Sequence, residues 1–250
     1  MKIRLDKLLV ERGLAPSRER AQALILAGKV LVNAQKAEKA GASVDASAAI
    51  RLMGEDLRYV GRGGLKLEKA LEHWKIEVRG RECLDAGAST GGFTDCLLQH
   101  GAASVTAIDT GYGQMDYRLR QDPRVRLLER SNARYLKPDD VAPASLVTVD
   151  VSFISATLVL PAVVRSAFRE AKPHVPHELV VLVKPQFEAG REQVGKGGIV
   201  RDAEAQAAAV EKVRRKVVEL GATRTDVIES PIRGAEGNRE FLLYAVFDKP

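Results

Sequence analysis

The stretch LDAGASTGGFT at residues 84–94 decides the fold of this chain. An apolar run predicts a buried strand that ends at Asp85, and the glycines after it allow a tight turn into a helix that begins at Gly92. In open α/β sheets, ligands bind where such strands end. The spacing is not G-x-G-x-x-G, and the P-loop Lys-Ser/Thr pair is absent, so a dinucleotide or a nucleoside triphosphate fits poorly.

Apolar strands alternate with helical patterns on both sides of this stretch. The predicted strands lie near 81–85, 105–109, 125–128, 146–150, 179–184, 223–229 and 239–247. The predicted helices cover 65–74, 92–100, 155–170 and 203–220. Such alternation implies a mostly parallel sheet covered by helices on both faces. The last two strands are joined by a loop without a helix, which predicts a terminal antiparallel hairpin.

The first sixty residues predict a separate small α+β unit. Leucines at helical spacing over Leu5–Leu9 predict one helix, and a second helix begins after Ser17, a candidate N-cap, and ends at Gly28. Short strands are predicted at Val30–Val32 and Ile50–Met53.

Composition excludes several classes of protein. The chain has 250 residues, of which 45% are hydrophobic and 29% charged, as in ordinary globular proteins. Two cysteines, Cys83 and Cys96, exclude a disulfide scaffold and a cysteine-rich zinc site, and we expect no metal. The start lacks an apolar signal-peptide core, and the longest apolar stretch, 146–164, contains Asp150 and Pro161. We therefore expect a cytoplasmic protein without a membrane partner.

Positive charge is concentrated at the beginning of the chain. Residues 1–60 carry eleven Lys or Arg and seven Asp or Glu, whereas the remaining residues carry 28 and 26. A basic module joined to a nearly neutral one indicates a part that docks on a polyanion and a separate working part. A solvated basic surface would give the same composition, and charge alone does not separate the two interpretations.

Polar residues follow consecutive predicted strands at the edge where a ligand would bind. The pattern Asp-x-Gly-x-x-x-Gly from Asp85 resembles the first motif of S-adenosylmethionine-dependent methyltransferases. Asp109 ends the next strand, where an acid accepts both hydroxyls of a ribose, and Asn132 follows the third, where it can bond an adenine edge. The predicted cofactor-binding residues are Asp85, Gly87, Ser89, Thr90, Gly91, Gly92, Phe93, Thr94, Asp109, Asn132, Ala133 and Asp150.

Charged residues lie at the ends of strongly apolar strands. Asp150 and Lys184 each end one, and Glu240 opens the last one. A charge in such a place is costly unless it is paired, so we expect these residues at the ligand crevice. Lys66 lies at the edge of the apolar face of its helix, where it would extend into solvent or reach inward.

These four residues carry a resemblance. Lys66, Asp150, Lys184 and Glu240 match in order and context the Lys-Asp-Lys-Glu tetrad of the FtsJ-type RNA ribose 2′-O-methyltransferases. The N-terminal part resembles the RNA-binding S-four domain of a small-subunit ribosomal protein in three motifs: Arg4-Leu5-Asp6-x-Leu8, Ser17-Arg18-x-x-Ala21 and Gly28-x-Val30-x-Val32-Asn33. With the segment VGRGGLKL at 60–67, the whole chain resembles the TlyA family, whose members are also labelled haemolysin A-like. Thr90 stands where FtsJ motifs usually carry Pro, as in the TlyA form, and Ala34 stands where S-four domains often carry Gly.

The resemblance implies a Rossmann-like methyltransferase fold, with a seven-stranded, mostly parallel sheet whose last strand is antiparallel, after the small RNA-binding domain. It implies an S-four-like domain at 1–58, a linker at 59–64 and the methyltransferase domain at 65–250. It also implies an rRNA or ribosomal-subunit partner, with no DNA expected. The predicted RNA-binding residues are Arg4, Lys7, Arg18, Arg20, Lys29 and Arg62.

The implied reaction is methyl transfer from S-adenosylmethionine to a cytidine ribose 2′-OH in ribosomal RNA. Lys184 is expected as the base or as the cation that stabilises the alkoxide. Asp150 would hold Lys184 and contact the methionine end of the cofactor, while Lys66 and Glu240 would orient the ribose. Three alternatives stay open: a non-catalytic RNA-binding protein, a membrane-lytic protein, and a methyltransferase that acts on a base or a protein.

Overall fold

Contacts divide the chain into two units, Met1–Leu57 and Arg58–Pro250. The computed structural model describes residues 2–15, 17–53, 58–169, 176–234 and 236–247. The predicted end of a helix at Glu170 lies outside the described residues. The same holds for those positions of the two predicted domains that are missing from these ranges.

The first unit is a small α+β fold, as predicted. Its elements are β1 (Lys2–Arg4), α1 (Leu5–Glu11), α2 (Arg18–Leu26), β2 (Val30–Val32), β3 (Gln35–Lys36), β4 (Ser43–Asp45) and β5 (Ile50–Leu52). The strands form a β1–β4 pair and a β3–β2–β5 sheet, all antiparallel. The Ser17 side chain accepts a hydrogen bond from the backbone N–H of Arg20 and caps α2, so the predicted N-cap is confirmed. Leu5, Leu9 and Ile25 are fully buried between the helices and strands.

The second unit is an α/β sandwich. Its helices are α3 (Gly63–Trp74), α4 (Gly92–Gln99), α5 (Tyr117–Gln121), α6 (Ala156–Ala167), α7 (Pro185–Glu188) and α8 (Ala203–Glu219). Its strands are β6 (Glu82–Ala86), β7 (Ser104–Ile108), β8 (Val125–Leu128), β9 (Leu146–Val149), β10 (His177–Val183), β11 (Arg224–Glu229) and β12 (Phe241–Phe247). Short 3₁₀ turns cover Ala133–Tyr135, Pro138–Asp140 and Arg191–Gln193.

The seven strands form one sheet in the order β11-β12-β10-β9-β6-β7-β8. Neighbouring strands from β10 to β8 run parallel, and β12 is antiparallel to both of its neighbours. The predicted mostly parallel sheet with an antiparallel last strand is therefore confirmed.

Helices cover both faces of this sheet. Along β10, Val180 and Leu182 belong to the core beneath α3 and α4, whereas Val181 and Val183 belong to the core beneath α6 and α8. All four side chains are buried. Burial on both faces explains why these strands read as unbroken apolar runs rather than as alternating patterns.

The stretch 59–64, predicted as a linker, packs within the second unit. Tyr59 is 2% exposed and its hydroxyl donates to Glu68, while the backbone N–H of Val60 donates to the Asp95 carboxylate. The helix α3 begins at Gly63, two residues earlier than the pattern of leucines predicts. The unit therefore begins near Arg58, because the buried tyrosine ties this segment to α3 and α4.

Candidate active site

The carboxylate of Asp85 lies inside the sheet. It is fully buried and accepts hydrogen bonds from the hydroxyls of Thr94 (2.7 Å) and Thr148 (2.9 Å). Burial raises the pKa of Asp85 to about 6, while the threonine hydroxyls favour its ionised form. Asp85 and Thr94 lie outside the lining of the two cavities described below, so they hold the turn rather than face a ligand.

Gly87 brings the turn after β6 against the end of β9. Its φ of +90° is in the left-handed region, and a Cβ at this position would lie 2.4 Å from the carbonyl oxygen of Asp150. The register explains this approach, because Ala86 pairs with Val149 and the next residues, Gly87 and Asp150, leave the sheet together. Only glycine fits here without moving the backbone.

One cavity, the Asp109 cavity, lies at the carboxyl ends of β6, β7 and β8. Its volume is about 470 Å³, and Gly87, Ser89, Asp109, Asn132 and Ala133 are among its lining residues. The Asp109 carboxylate accepts from the backbone N–H groups of Ser89 (2.8 Å) and Gly111 (2.6 Å). Each carboxylate oxygen keeps a second lone pair, so Asp109 can still accept from hydroxyl groups of a ligand.

The side chain of Asn132 has a structural contact as well. Its oxygen accepts from the backbone N–H of Arg134 (3.0 Å) and caps the 3₁₀ turn after β8. The amide NH₂ group is left as the donor that this residue can offer to a ligand in the Asp109 cavity.

A second, larger cavity adjoins the first. This Lys184 cavity has a volume of about 720 Å³, and all four residues of the predicted tetrad line it: Lys66, Asp150, Lys184 and Glu240. Three of them leave adjacent strands at the same edge of the sheet, since β9, β10 and β12 are neighbours and Val183 pairs with Phe241. The fourth, Lys66, reaches the cavity from α3.

The four charges form two ion pairs. Lys184 Nζ lies 2.6 Å from Asp150 Oδ1, and Lys66 is paired with Glu240. The side chains of Lys66 and Glu240 are 11% and 3% exposed, so Lys66 reaches inward instead of extending into solvent. Each cation is paired with a carboxylate, which lowers the cost of removing these charges from water.

Lys184 has a second partner. Its ammonium group donates to the hydroxyl of Ser152 at 2.8 Å. An ammonium group has three donors, and the hydrogen bond to Ser152 uses one of them, so a donor remains beside the Asp150 ion pair for an atom that enters the cavity.

The two cavities share a wall. Gly87, Ser89, Asp150, Ser152 and Phe153 line both of them. A molecule in the Asp109 cavity and a molecule in the Lys184 cavity would therefore touch the same residues from two sides.

Most of the residues predicted to bind the cofactor lie at these cavities. Ser89, Thr90, Gly92 and Phe93 line the Lys184 cavity. Gly91 does not line either cavity; its φ is +97°, and a Cβ there would lie 2.2 Å from Leu119. Its role is to let the chain pass α5.

The predicted RNA-binding residues fall into two groups. Arg62 is exposed and lines the Lys184 cavity. In the first unit, Arg4 and Arg18 both bond the buried carboxylate of Asp6, and exposed Lys7 lies 3.5 Å from Glu11. Each of these contacts partly neutralises a predicted phosphate ligand. Arg20 and Lys29 are partly buried in the same unit.

Sequence reasoning did not identify three residues of the site. Phe153 is 92% exposed with a φ of +64°, and its ring lies 5.4 Å from that of Phe187. Ser152 bonds Lys184, and Asn238 lines the Lys184 cavity. Their place in the sequence could have indicated them, since Ser152 and Phe153 come two and three residues after Asp150 and Asn238 comes two residues before Glu240.

A family model supports the same division of the chain. The model of the FtsJ-like methyltransferases matches residues 59–247. The chain belongs to the FtsJ-like methyltransferase family. A second model, that of the S4 domain, matches residues 3–50 of this FtsJ-like methyltransferase. The recognition of both modules from sequence is thereby confirmed.

Known relatives cover the whole length of this FtsJ-like methyltransferase. The 16S/23S rRNA (cytidine-2′-O)-methyltransferase TlyA of Mycobacterium tuberculosis is 49% identical over 96% of this chain and 88% of its own. A solved Streptococcus thermophilus protein named as a hemolysin is 43% identical, with a TM-score of 0.73 over 100% of this chain and 90% of its own.

More distant structures share only the fold. An S-adenosylmethionine-dependent methyltransferase from Mesorhizobium loti is 16% identical with a TM-score of 0.52, over 74% of this chain and 100% of its own. Within the ranges that the structure describes, every helix is too short or too polar to cross a bilayer.

Proposed function

We propose that this protein transfers a methyl group from S-adenosylmethionine to the ribose 2′-hydroxyl of a cytidine in ribosomal RNA. The observation that carries the proposal is the pair of lysine–carboxylate contacts, Lys184 with Asp150 and Lys66 with Glu240, in a cavity that shares a wall with the Asp109 cavity. The choice of a cytidine rests on the activity named for the Mycobacterium tuberculosis relative.

The Asp109 cavity suits an adenosyl group. Asp109 would accept from the ribose hydroxyls, and Asn132 would bond the edge of the adenine. Gly87 and Asp150, which line both cavities, would contact the methionine end, with the Asp150 carboxylate near the positive sulfonium. The cofactor supplies a methyl group that its sulfonium already activates, so the protein's task is to align and activate the hydroxyl.

Lys184 would act on that hydroxyl directly. The ion pair with Asp150 and the hydrogen bond to Ser152 fix the ammonium group, and a further donor would bond the 2′-oxygen. A fixed positive charge at this position stabilises the negative charge that develops on the oxygen as it attacks. With Lys184 as this cation, the bond from the methyl group to the 2′-oxygen would form as the methyl–sulfur bond breaks, and the hydroxyl proton would pass to the carboxylate of Asp150, which contacts Lys184 and lines the same cavity.

Lys66 and Glu240 would hold the ribose. The pair lies at the same cavity, and both side chains are nearly buried. The Lys66 ammonium and the Glu240 carboxylate offer donors and an acceptor to the hydroxyls and the ring oxygen of a sugar. They would orient the substrate rather than exchange protons with it.

Phe153 would receive the base. It is an exposed aromatic ring held at the mouth of both cavities in a left-handed backbone conformation. Proteins bind unstacked RNA bases on such rings. We therefore expect the target nucleotide to leave its stack when its ribose enters the Lys184 cavity.

Methylation of a base carbon through a cysteine fits this chain less well. Burial raises the pKa of both Cys83 and Cys96 to about 12, so neither thiol is ionised at neutral pH. Neither residue lines the Asp109 cavity or the Lys184 cavity.

The test is methyl transfer with radiolabelled S-adenosylmethionine to unmodified 30S subunits, 50S subunits and free rRNA, followed by digestion to nucleosides. We expect the label in 2′-O-methylcytidine. Label in a base, or cofactor binding without transfer to any of the three substrates, would contradict the proposal.

Variants at Lys184 test its role. Lys184→Ala should abolish transfer and leave the affinity for S-adenosylmethionine nearly unchanged, while Lys184→Arg, which keeps the charge, should retain partial activity. Lys216→Ala on α8, a surface lysine paired with Glu219, is the matched control. Full activity of Lys184→Ala would refute the assigned role.

A further inference from the structure

Asn238 has no part in the proposed chemistry, yet both ends of its side chain are occupied. It is 1% exposed. Its oxygen accepts from the backbone N–H of Val200 (3.0 Å), and its NH₂ group donates to the carbonyl of Gly198 (2.8 Å). Its own carbonyl accepts from the N–H of Gly234, which closes the turn before Glu240. A buried amide that spans two loops in this way fixes one relative to the other.

The loop that Asn238 holds is a tight hairpin, Gly195–Ile199, which we name the glycine hairpin. The N–H of Gly195 donates to the carbonyl of Ile199, and the N–H of Gly198 donates to that of Gly195. Gly197 and Gly198 both have positive φ angles, +78° and +72°, with open space around them. The tip of the hairpin is therefore exposed, and it has few contacts of its own to keep it in place.

The glycine hairpin stands at the Lys184 cavity. Gly198 and Val194 line this cavity, as do the basic residues Arg62 and Arg233. Lys196 lies at the exposed tip and has no carboxylate within ion-pair distance in the described part of the chain. Lys196 does not line the cavity itself but is two residues from both Val194 and Gly198, which do, so its ammonium group is placed to bind a phosphate that flanks the ribose in the cavity.

We propose that Asn238 is a positioning residue: it fastens the glycine hairpin to the turn before Glu240, so that Lys196 binds a phosphate of the RNA strand whose ribose enters the Lys184 cavity. This inference rests on the proposed function. Asn238 would thereby connect RNA binding at the glycine hairpin with the tetrad residue Glu240, because it is two residues from Glu240 and contacts the hairpin directly.

The first experiment measures how Lys196 contributes to RNA binding. Lys196→Ala should raise the KM for RNA roughly tenfold with kcat little changed, as expected for one lost charged hydrogen bond. The dependence of log KM on log salt should become shallower by about 0.7, the value for one phosphate of a single strand. The dissociation constant of S-adenosylmethionine should stay the same. An unchanged KM and salt dependence would overturn the proposal.

The second experiment tests whether Asn238 acts through the hairpin. Asn238→Ala should raise the KM for RNA by a similar factor, and the double variant with Lys196→Ala should be little worse than either single variant. Trypsin should cleave after Lys196 roughly tenfold faster in Asn238→Ala, because two backbone groups lose their partner. Asn238→Asp should resemble Asn238→Ala, since it cannot donate to Gly198. Additive effects on KM would show that Asn238 acts independently of Lys196.

Controls separate this link from a loss of folding and from a failure of the proposed function. Ser166→Ala removes a buried hydrogen bond to Leu136 that is remote from the cavity, and it should leave KM and cleavage after Lys196 unchanged. Because Lys196 is exposed, Lys196→Ala should fold normally, so its KM for RNA can be measured even if Asn238→Ala unfolds the protein. If the wild-type protein methylates no RNA, the proposed function fails, and filter binding of rRNA with the same variants still decides the role of the hairpin.

Discussion

Lys66, on the first helix of the second unit, forms an ion pair with Glu240, which lies 174 residues later in the chain. The pair fixes α3 against the end of the sheet beside β12, and it places both side chains in the cavity that also contains Lys184. Since both are nearly buried, neither residue can be removed without consequences for the other.

We expect Glu240→Leu to destabilise the protein by roughly 3–5 kcal/mol, because it leaves the buried Lys66 ammonium without its partner. The double variant Lys66→Met/Glu240→Leu should regain most of that stability, since it replaces the pair with apolar groups of similar size. Both variants should be inactive. Urea unfolding and methyl transfer measure the two effects, and a single variant as stable as the double one would argue against the coupling.

We expect Gly87→Ala to lose S-adenosylmethionine binding. The added Cβ would lie 2.4 Å from the Asp150 carbonyl and would displace the wall that the two cavities share. Gly221→Ala is the matched control: its φ is +102°, so it carries a similar backbone strain of about 1–2 kcal/mol, but its Cβ meets nothing within 4 Å. Calorimetric titration should show binding in the control alone, and tight binding by Gly87→Ala would refute the assignment of this turn.

The ionisation of Asp85 should make stability depend on pH. Burial raises its pKa in the folded protein to about 6, above the ordinary value, so the unfolded chain loses this proton first as the pH rises. The free energy of unfolding should therefore fall by roughly 2 kcal/mol between pH 4 and pH 7 through this group alone. Asp85→Asn should lack this component. Urea unfolding of both proteins at several pH values measures the difference, and parallel pH profiles would contradict the prediction.

In the S4 domain, we expect one variant to change phosphate binding alone and another to change both phosphate binding and folding stability. Lys7→Ala should weaken RNA binding and lower the slope of log affinity against log salt by about 0.7–0.9 without a change in stability. Arg4→Ala should weaken RNA binding and also lower the stability of the domain. The stability falls because the hydrogen bonds of Arg4 stabilise the ionised, buried Asp6 carboxylate and hold its pKa well below its usual range. Filter binding at several salt concentrations and urea unfolding are the two measurements. Salt-independent binding by the wild-type protein would refute the phosphate contacts.

The sequence predicts those site residues that leave apolar strands. Asp109, Asp150 and Lys184 each follow such a strand, and parallel strands bring their carboxyl ends together, so their positions follow from hydrophobicity alone. The antiparallel last strand is predictable for the same reason, since no helix separates it from β11.

Pairing across distant segments is not predictable in this way. The inward direction of Lys66 depends on Glu240, and the burial of Asp85 depends on Thr94 and Thr148, which come from two other elements. The short helices α5 and α7 are too brief for a periodic pattern. The left-handed conformation of Phe153 has no sequence signature, because aromatic residues rarely adopt it.

Because the two cavities share a wall, ligand binding in one of them is linked to ligand binding in the other. Gly87 and Asp150 face the Asp109 cavity on one side and the Lys184 cavity on the other, so a ligand that shifts this wall changes the space open to its neighbour. Thermodynamic reciprocity then requires that whatever RNA does to cofactor affinity, the cofactor does to RNA affinity by the same factor. The cofactor that has lost its methyl group and the methylated RNA would thus change each other's affinity by one common factor.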